Sequence, residues 1–463
     1  MSYVSNPRSN TLLSRYGSRA KDNRALYLAK VFFLLSGIGA FGFIDRAIYG
    51  EWEGKAGSSI SRVLNLTFLL SSLFIYWSGA RKAKVARFNR SIPFAAATIP
   101  LISVAWSIDP GVSFRQGIEY FFAVLGAIGL AQVSEGDELM RLVCLVCSIS
   151  AVASLAQPFV FPDLPGGDFR GIFSQKNLLG EVTVGGVIAG LHGVRLKSGQ
   201  SFRYTCAVAL CTIVALMSKS GTSVFAIFIL FGIDVFGRLY LKKGAARTVA
   251  IGLAVALIPV AIYFAIDSDV ILDALGKDRS LTGRTLIWPY VIDAIRERPI
   301  FGWGFWAFWS PLNPRSFEIS REVGFGFYIN SAHNGILQLL LQFGIVGTGF
   351  LLFLWLRYLV LAAKCLSGSR VQFAISTLML LITIGEIAVS EEVLVSAQQI
   401  STVLFFTMGL ICEQQLRLER EERRRARPFA VRGNQTMLSR SVVGGRNEVG
   451  SGVPSRSGSA IPG

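Results

Sequence analysis

The sequence predicts an all-α, polytopic membrane protein with about twelve transmembrane helices. Three observations carry that prediction. Of 463 residues, 52% are hydrophobic and 16% are charged, where soluble domains hold about 25% charged residues. Apolar stretches of roughly the 20 residues needed to cross a bilayer recur along the chain. Lys and Arg collect in alternate connections between these stretches, as basic loops retained on the cytoplasmic side do.

The spans fall near 26–44, 61–78, 91–106, 114–131, 139–159, 178–194, 204–219, 222–237, 248–266, 333–356, 371–389 and 396–412. Residues 1–25 form a polar, basic segment. The first apolar run is followed by Asp45 and Arg46 instead of a small-residue cleavage site, so it reads as a retained span. With this segment cytoplasmic, the inner connections hold Arg81, Lys82, Lys84, Arg87 and Arg90, then Arg195, Lys197 and Arg203, then Arg238, Lys242, Lys243 and Arg247, then Lys364 and Arg370. One inner connection, with Glu135, Asp137, Glu138 and Arg141, is net acidic. Acids count little in this rule, so the phase stands and both termini are expected inside.

The net charge of +17 is carried largely by these connections and by the tail. A nucleic-acid partner needs basic residues gathered on one folded face, so that class is excluded here and contact with anionic lipid is expected instead. Six cysteines lie in or beside apolar spans, and Cys144 and Cys147 read as small packing residues. Residues 26–416 make one transmembrane domain. From 417 the chain continues its last span as a charged helix, then becomes a Gly/Ser-rich basic tail too poor in large apolar residues to bury a core.

Two outward connections matter. Residues 160–177 read VFPDLPGGDFRGIFSQKN, and residues 267–332 form the largest polar piece. Within the latter, TGRTLIWPYVIDAIRER has helical periodicity, with Thr282 as a cap and Leu286, Ile287, Val291 and Ile295 as an apolar stripe. A small helical lid is expected there. Gly186–Gly190 and Gly344, Gly347 and Gly349 read as close helix packing.

The candidate chemistry gathers on this outer side. Arg170, Lys176 and Asn177 adjoin one span, Arg284 opens the lid helix, and His333 and Asn334 head another span. Outward cations run against the usual bias, and an arginine fork suits a phosphate. Either they anchor span boundaries or two arginines converge on a pyrophosphate. His333 is either a polar residue at a helix start or a neutral imidazole placed to take a hydroxyl proton. His192 lies at the opposite end of its span and reads as structural. Asp267 and Asp269 form a DxD that reads as boundary polarity. Trp303, Trp306 and Trp309 are either interface-belt residues or a sugar-stacking surface. No Cys/His/acid set has metal-ligand spacing.

The stretches RGIFSQKNLLG, LTGRTLIWPYVIDAIRERPIFGWGFWAFW and SAHNGILQLLLQFGIVGTGFLLFL resemble the O-antigen ligase/polymerase family of bacterial envelope proteins, on the side of its Wzy-type exopolysaccharide polymerases. SVAWSIDPGVSFRQ, residues 103–116, is similar to an earlier loop of that family. The strongest likeness spans 170–355. It implies a GT-C-like helical fold in the bacterial inner membrane and a metal-independent, cofactor-free inverting glycosyltransferase. The donor would be an oligosaccharide on undecaprenyl pyrophosphate, and other exopolysaccharide assembly and export proteins would be partners. Arg170 and Arg284 match the family's pyrophosphate arginines and His333 its histidine. Lys176, Asn177, Asn334 and Trp303 would then orient phosphate or sugar. A lipid-linked acceptor makes a polymerase, the first reading; a lipid A core acceptor makes a ligase. The rival class is a transporter of lipid-linked glycan, which places charge at mid-bilayer, as Glu386 would be.

Overall fold

A computed structural model of the chain describes residues 24–44, 59–81, 89–160, 169–197, 199–240, 284–324, 328–394, 396–397 and 399–443. Among them are thirteen α-helices and no strand. In chain order they are α1 (Arg24–Gly37), α2 (Ser59–Arg81), α3 (Ser91–Ile102, followed by a 3-10 turn, Ser103–Trp106), α4 (Pro110–Val133), α5 (Gly136–Val160), α6 (Lys176–Arg195), α7 (Ser201–Met217), α8 (Gly221–Tyr240), α9 (Arg284–Glu297), α10 (Pro314–Val323), α11 (Gly335–Cys365), α12 (Val371–Ile387) and α13 (Ile400–Val443). All but α9 and α10 coincide with predicted spans. The predicted span 248–266, the DxD at Asp267 and Asp269, and the cap Thr282 lie outside the described residues. By length and composition, α2, α4, α5, α6, α8 and α11 are long and apolar enough to cross a membrane, and α3, α7 and α12 are shorter apolar helices.

Two expectations about helix extent change. α1 stops at Gly37 and gives way to turns. α13 continues to Val443, through part of the tail that composition predicts as unstructured. The lid stripe also shifts: Ile287, Val291 and Ala294 are buried, whereas Leu286 is exposed.

Small residues set the closest helix contacts. A methyl group on Gly186 would lie 2.5 Å from Cys211 Sγ on α7 and 3.0 Å from Cys147 Cβ on α5. GVIAG is thus a packing motif, as predicted. Cys144 and Cys147 are buried and unbridged.

The acidic connection before α5 is explained by its partners. Glu135 accepts from Arg370 Nη2 at 3.0 Å, Glu138 from Lys30 Nζ at 2.6 Å, and Asp137 faces His192 Nε2 at 3.1 Å. Its acids meet Lys30, His192 and Arg370 from three other elements at that end of the bundle. Beside them Arg195 donates to Asp234 at 2.8 Å, with both side chains buried.

Gly344 is read in the sequence as a packing residue, but here it breaks α11. Its φ of 61° and ψ of −165° interrupt the helix. A break inside an apolar helix leaves backbone groups unpaired, each costing several kcal/mol in hydrocarbon. Residues 299–304 fill the gap. Ile345 N–H donates to Pro299 O at 2.8 Å and Val346 N–H to Ile300 O at 3.3 Å. Trp303 N–H donates to Leu341 O at 2.8 Å and Gly304 N–H to Gln342 O at 3.1 Å. A Cβ on Gly344 would sit 2.3 Å from the Ile300 carbonyl, so the approach needs glycine.

Residues 103–113 lock the same loop from the other side. Trp106 Nε1 donates to Phe301 O at 2.9 Å, Phe305 N–H to Ser103 Oγ at 3.0 Å, and Ser113 Oγ to Phe305 O at 2.8 Å. Asp109 caps α4 through Val112 N–H and accepts from Ser310 Oγ. Ile287, Val291, Ala294, Trp303, Phe308 and Leu341 share a small apolar cluster. The lid is therefore continuous with α11 and is not a separate domain.

Candidate active site

The head of α11, the end of α12 and the head of α6 meet at the end of the bundle that the charge pattern assigns to the outside. Asn334 caps α11, accepting from Leu337 N–H at 3.0 Å. Its amide donates to Val389 O at 3.0 Å, and Gly335 N–H donates to Ala388 O at 2.8 Å. This stitching holds the 388–399 connection against His333.

His333 has φ 45°, a left-handed conformation that costs a non-glycine residue about 1–3 kcal/mol. The surroundings hold it there. His333 N–H donates to Ser331 Oγ at 3.2 Å, and Ala332 N–H to the buried Gln338 Oε1 at 3.1 Å. The imidazole is 30% exposed, and its Nδ1 lies 3.5 Å from Glu391 Oε2, on a side chain only 9% exposed. The other Glu391 oxygen, Oε1, accepts from Asn177 Nδ2 at 2.5 Å. Glu392 Oε2 accepts from Ser331 Oγ at 3.0 Å. Burial, and then the Glu391 carboxylate, push Glu392 above its ordinary carboxylate range, with His333 opposing. Ligand atoms of His333, Glu391 and Glu392 all lie within 4.8 Å of one another.

Glu391 and Glu392 line a cavity of about 180 Å³ between α6, α8, α12 and the start of α13. Asn177, Glu181, Thr222, Ser223, Trp306 and Gln399 are also on its wall. Glu181 Oε1 accepts from Ser401 N–H at 3.0 Å. Trp306 on the cavity wall has φ 57°, and Lys219 and Leu394, one and two residues from wall residues, have φ 52° and 63°.

The structure thus brings Asn177 to His333 through Glu391. Other predicted residues fall elsewhere. Asn334 spends both its side-chain groups on backbone and acts as a cap. Trp303 is 7% exposed, its Nε1 donates to Ala294 O at 2.8 Å, and Arg298 stacks over its ring at 4.3 Å. It packs the lid, and Trp306 takes the cavity wall. Lys176 opens α6 next to Asn177. Arg170 lies on the turn before α6, where a Cβ on Gly171 (φ 56°) would collide with Ser154. Partial burial lowers the Arg170 pKa below the usual arginine value. Arg284 opens α9, and its side chain lies outside the described part of the structure. Glu391, Glu392 and Glu181 are absent from the sequence-based candidates.

An all-helical bundle with these apolar helices and a polar, acid-lined cavity at one end defines a multi-pass membrane protein with a candidate site beside its surface. Comparison with known proteins makes this more specific. Residues 205–354 match the family described as O-Antigen ligase, a segment that includes His333, Asn334, Arg284 and the three tryptophans. The chain is 28% identical over 273 residues to the "Exopolysaccharide production protein ExoQ" of Rhizobium meliloti (strain 1021). That alignment covers 55% of this chain and 61% of the relative. Both are likenesses over part of the chain, and the chain covers less than two thirds of this relative's length.

Proposed function

We propose that this protein joins lipid-pyrophosphate-linked oligosaccharide repeat units into exopolysaccharide at the outer face of the inner membrane, as an inverting glycosyltransferase with both termini cytoplasmic. The observation that carries the reading is the alignment of Asn177, Glu391 and His333. A carboxylate beside Nδ1 favours the tautomer that keeps its proton there and makes Nε2 the basic nitrogen. His333 Nε2 takes the proton of an acceptor hydroxyl. The hydroxyl oxygen bonds to the donor's anomeric carbon, and the bond from that carbon to the pyrophosphate oxygen breaks, its electrons leaving with the pyrophosphate. Glu391 stabilises the imidazolium that forms. Arg170 and Arg284, with Lys176 near the first, would neutralise the departing pyrophosphate, where charge grows in the transition state.

The resemblance to an exopolysaccharide production protein supports a second lipid-linked unit as acceptor; lipid A core would make the protein a ligase instead. A transporter would share the broken α11, but here residues 299–304 occupy the break. The test is reconstitution of the purified protein with a lipid-pyrophosphate oligosaccharide. Elongated glycan with release of the carrier pyrophosphate is expected. Movement of intact donor across the bilayer without elongation overturns the reading.

A further inference from the structure

The cavity has a chemistry of its own. Three carboxylates, Glu181, Glu391 and Glu392, are on its wall, together with hydroxyl and amide groups and the indole of Trp306. Among the described residues the wall carries three acids and no Lys or Arg, so an anion finds no counter-charge there and the departing pyrophosphate does not belong in it. Carboxylates are strong acceptors for hydroxyl donors, and an indole offers a flat apolar surface. A sugar ring has both kinds of partner: hydroxyls at its edge and C–H groups on its face. His333 is not on the wall but stands next to two of the three acids, which sets the cavity beside the proposed base.

We infer that this cavity is the acceptor subsite and that it takes an uncharged, hydroxyl-rich sugar residue, with Trp306 against its face and Glu181, Glu391 and Glu392 accepting from its hydroxyls. The inference rests on the transferase reading for the word acceptor, but the binding itself does not. Two halves of the site then divide by charge. The acid-lined half holds the neutral sugar that attacks. The cationic segments at Arg170, Lys176 and Arg284 attend the phosphate that leaves. An acidic sugar, such as a uronic acid, is excluded from the attacking position and tolerated elsewhere in the repeat unit.

The test measures binding without donor, on the full chain in lipid nanodiscs, by saturation-transfer NMR. The probes are neutral trisaccharides of glucose, galactose or N-acetylglucosamine, and the same trisaccharides oxidised to the acid at C6 of the terminal residue. At least one neutral probe binds, and its oxidised form binds at least about tenfold more weakly, because like charges are brought together. Trp306→Ala weakens the neutral probe by about tenfold, the scale of one lost aromatic contact. Glu392→Gln narrows the gap between the neutral and oxidised forms. Circular dichroism confirms that each variant is folded.

Several results overturn the proposal. One is that no neutral probe binds; another is that the oxidised probes bind as well as the neutral ones. A third is neutral binding unchanged in both Trp306→Ala and Glu181→Gln. A fourth is sugar binding that a chelator abolishes and calcium restores, which would assign the carboxylates to a cation. Binding as described with no elongation would defeat the transferase reading and leave the subsite standing. Elongation unaffected by these variants would do the reverse.

Discussion

The two histidines of this chain sit at opposite ends of the bundle, and their surroundings differ in kind. His192 is 1% exposed, with Nδ1 3.0 Å from Ser376 Oγ and Nε2 3.1 Å from Asp137 Oδ1. Both ring nitrogens are committed, and α5, α6 and α12 are tied together by them. His333 is 30% exposed, strained in φ, and has Glu391 at Nδ1 with Glu392 close by. A histidine saturated on both nitrogens holds helices together. One that is partly exposed and set beside two acids is placed to exchange a proton with a substrate hydroxyl.

That contrast can be broken or sharpened by variants. The largest expected effect is from His333→Ala: turnover falls by about 10²–10⁴-fold, the usual worth of a general base, while membrane levels stay normal. Polymer of normal length from this variant would end the base assignment. Next is Glu391→Gln. In a serine-protease triad the analogous change costs about 10⁴-fold; here the longer 3.5 Å separation suggests about 10²-fold. Turnover unchanged in Glu391→Gln would make Glu391 a packing residue only.

His192→Ala works the other way. It removes the bonds to Asp137 and Ser376, each worth about 0.5–1.5 kcal/mol of stability, seen as a lowered melting temperature, while Ser376 Oγ keeps Arg195 and Gln372 O and turnover per folded molecule stays near wild type. A hundredfold loss of turnover in folded protein would erase the distinction between the ends. The smallest effect concerns Glu392. Its carboxyl is held above the ordinary range, so the folded state keeps a proton that the unfolded chain releases. Its stabilising contribution is present at low pH and is lost as pH rises from the ordinary carboxylate range through the raised value. Glu392→Gln flattens that decline in melting temperature across a pH series. A parallel decline in wild type and variant would contradict it.

The apolar helices among the described residues were legible because hydropathy over a bilayer's width does not depend on distant partners. The GVIAG packing and the buried cysteines were legible for the same local reason. The break at Gly344 was hidden, since QFGIVG reads as continuous apolar helix and only residues 299–304, far away in sequence, make a break affordable. His333, Asn177 and the outer arginines stood out because polar groups beside spans are few. Glu391 and Glu392 did not, because SEEVL between two spans has the look of ordinary boundary charge; their pairing with His333 exists only in three dimensions. Trp303 and Trp306 lie in an irregular loop, where no periodicity says which indole faces the cavity.

Chemical rescue tests the central claim most directly. Purified His333→Gly and His192→Gly proteins, reconstituted with a lipid-pyrophosphate oligosaccharide, are assayed with increasing free imidazole. The account predicts that imidazole restores elongation to His333→Gly in a concentration-dependent way and leaves His192→Gly unchanged. Elongation by His333→Gly at the wild-type rate without imidazole would contradict it.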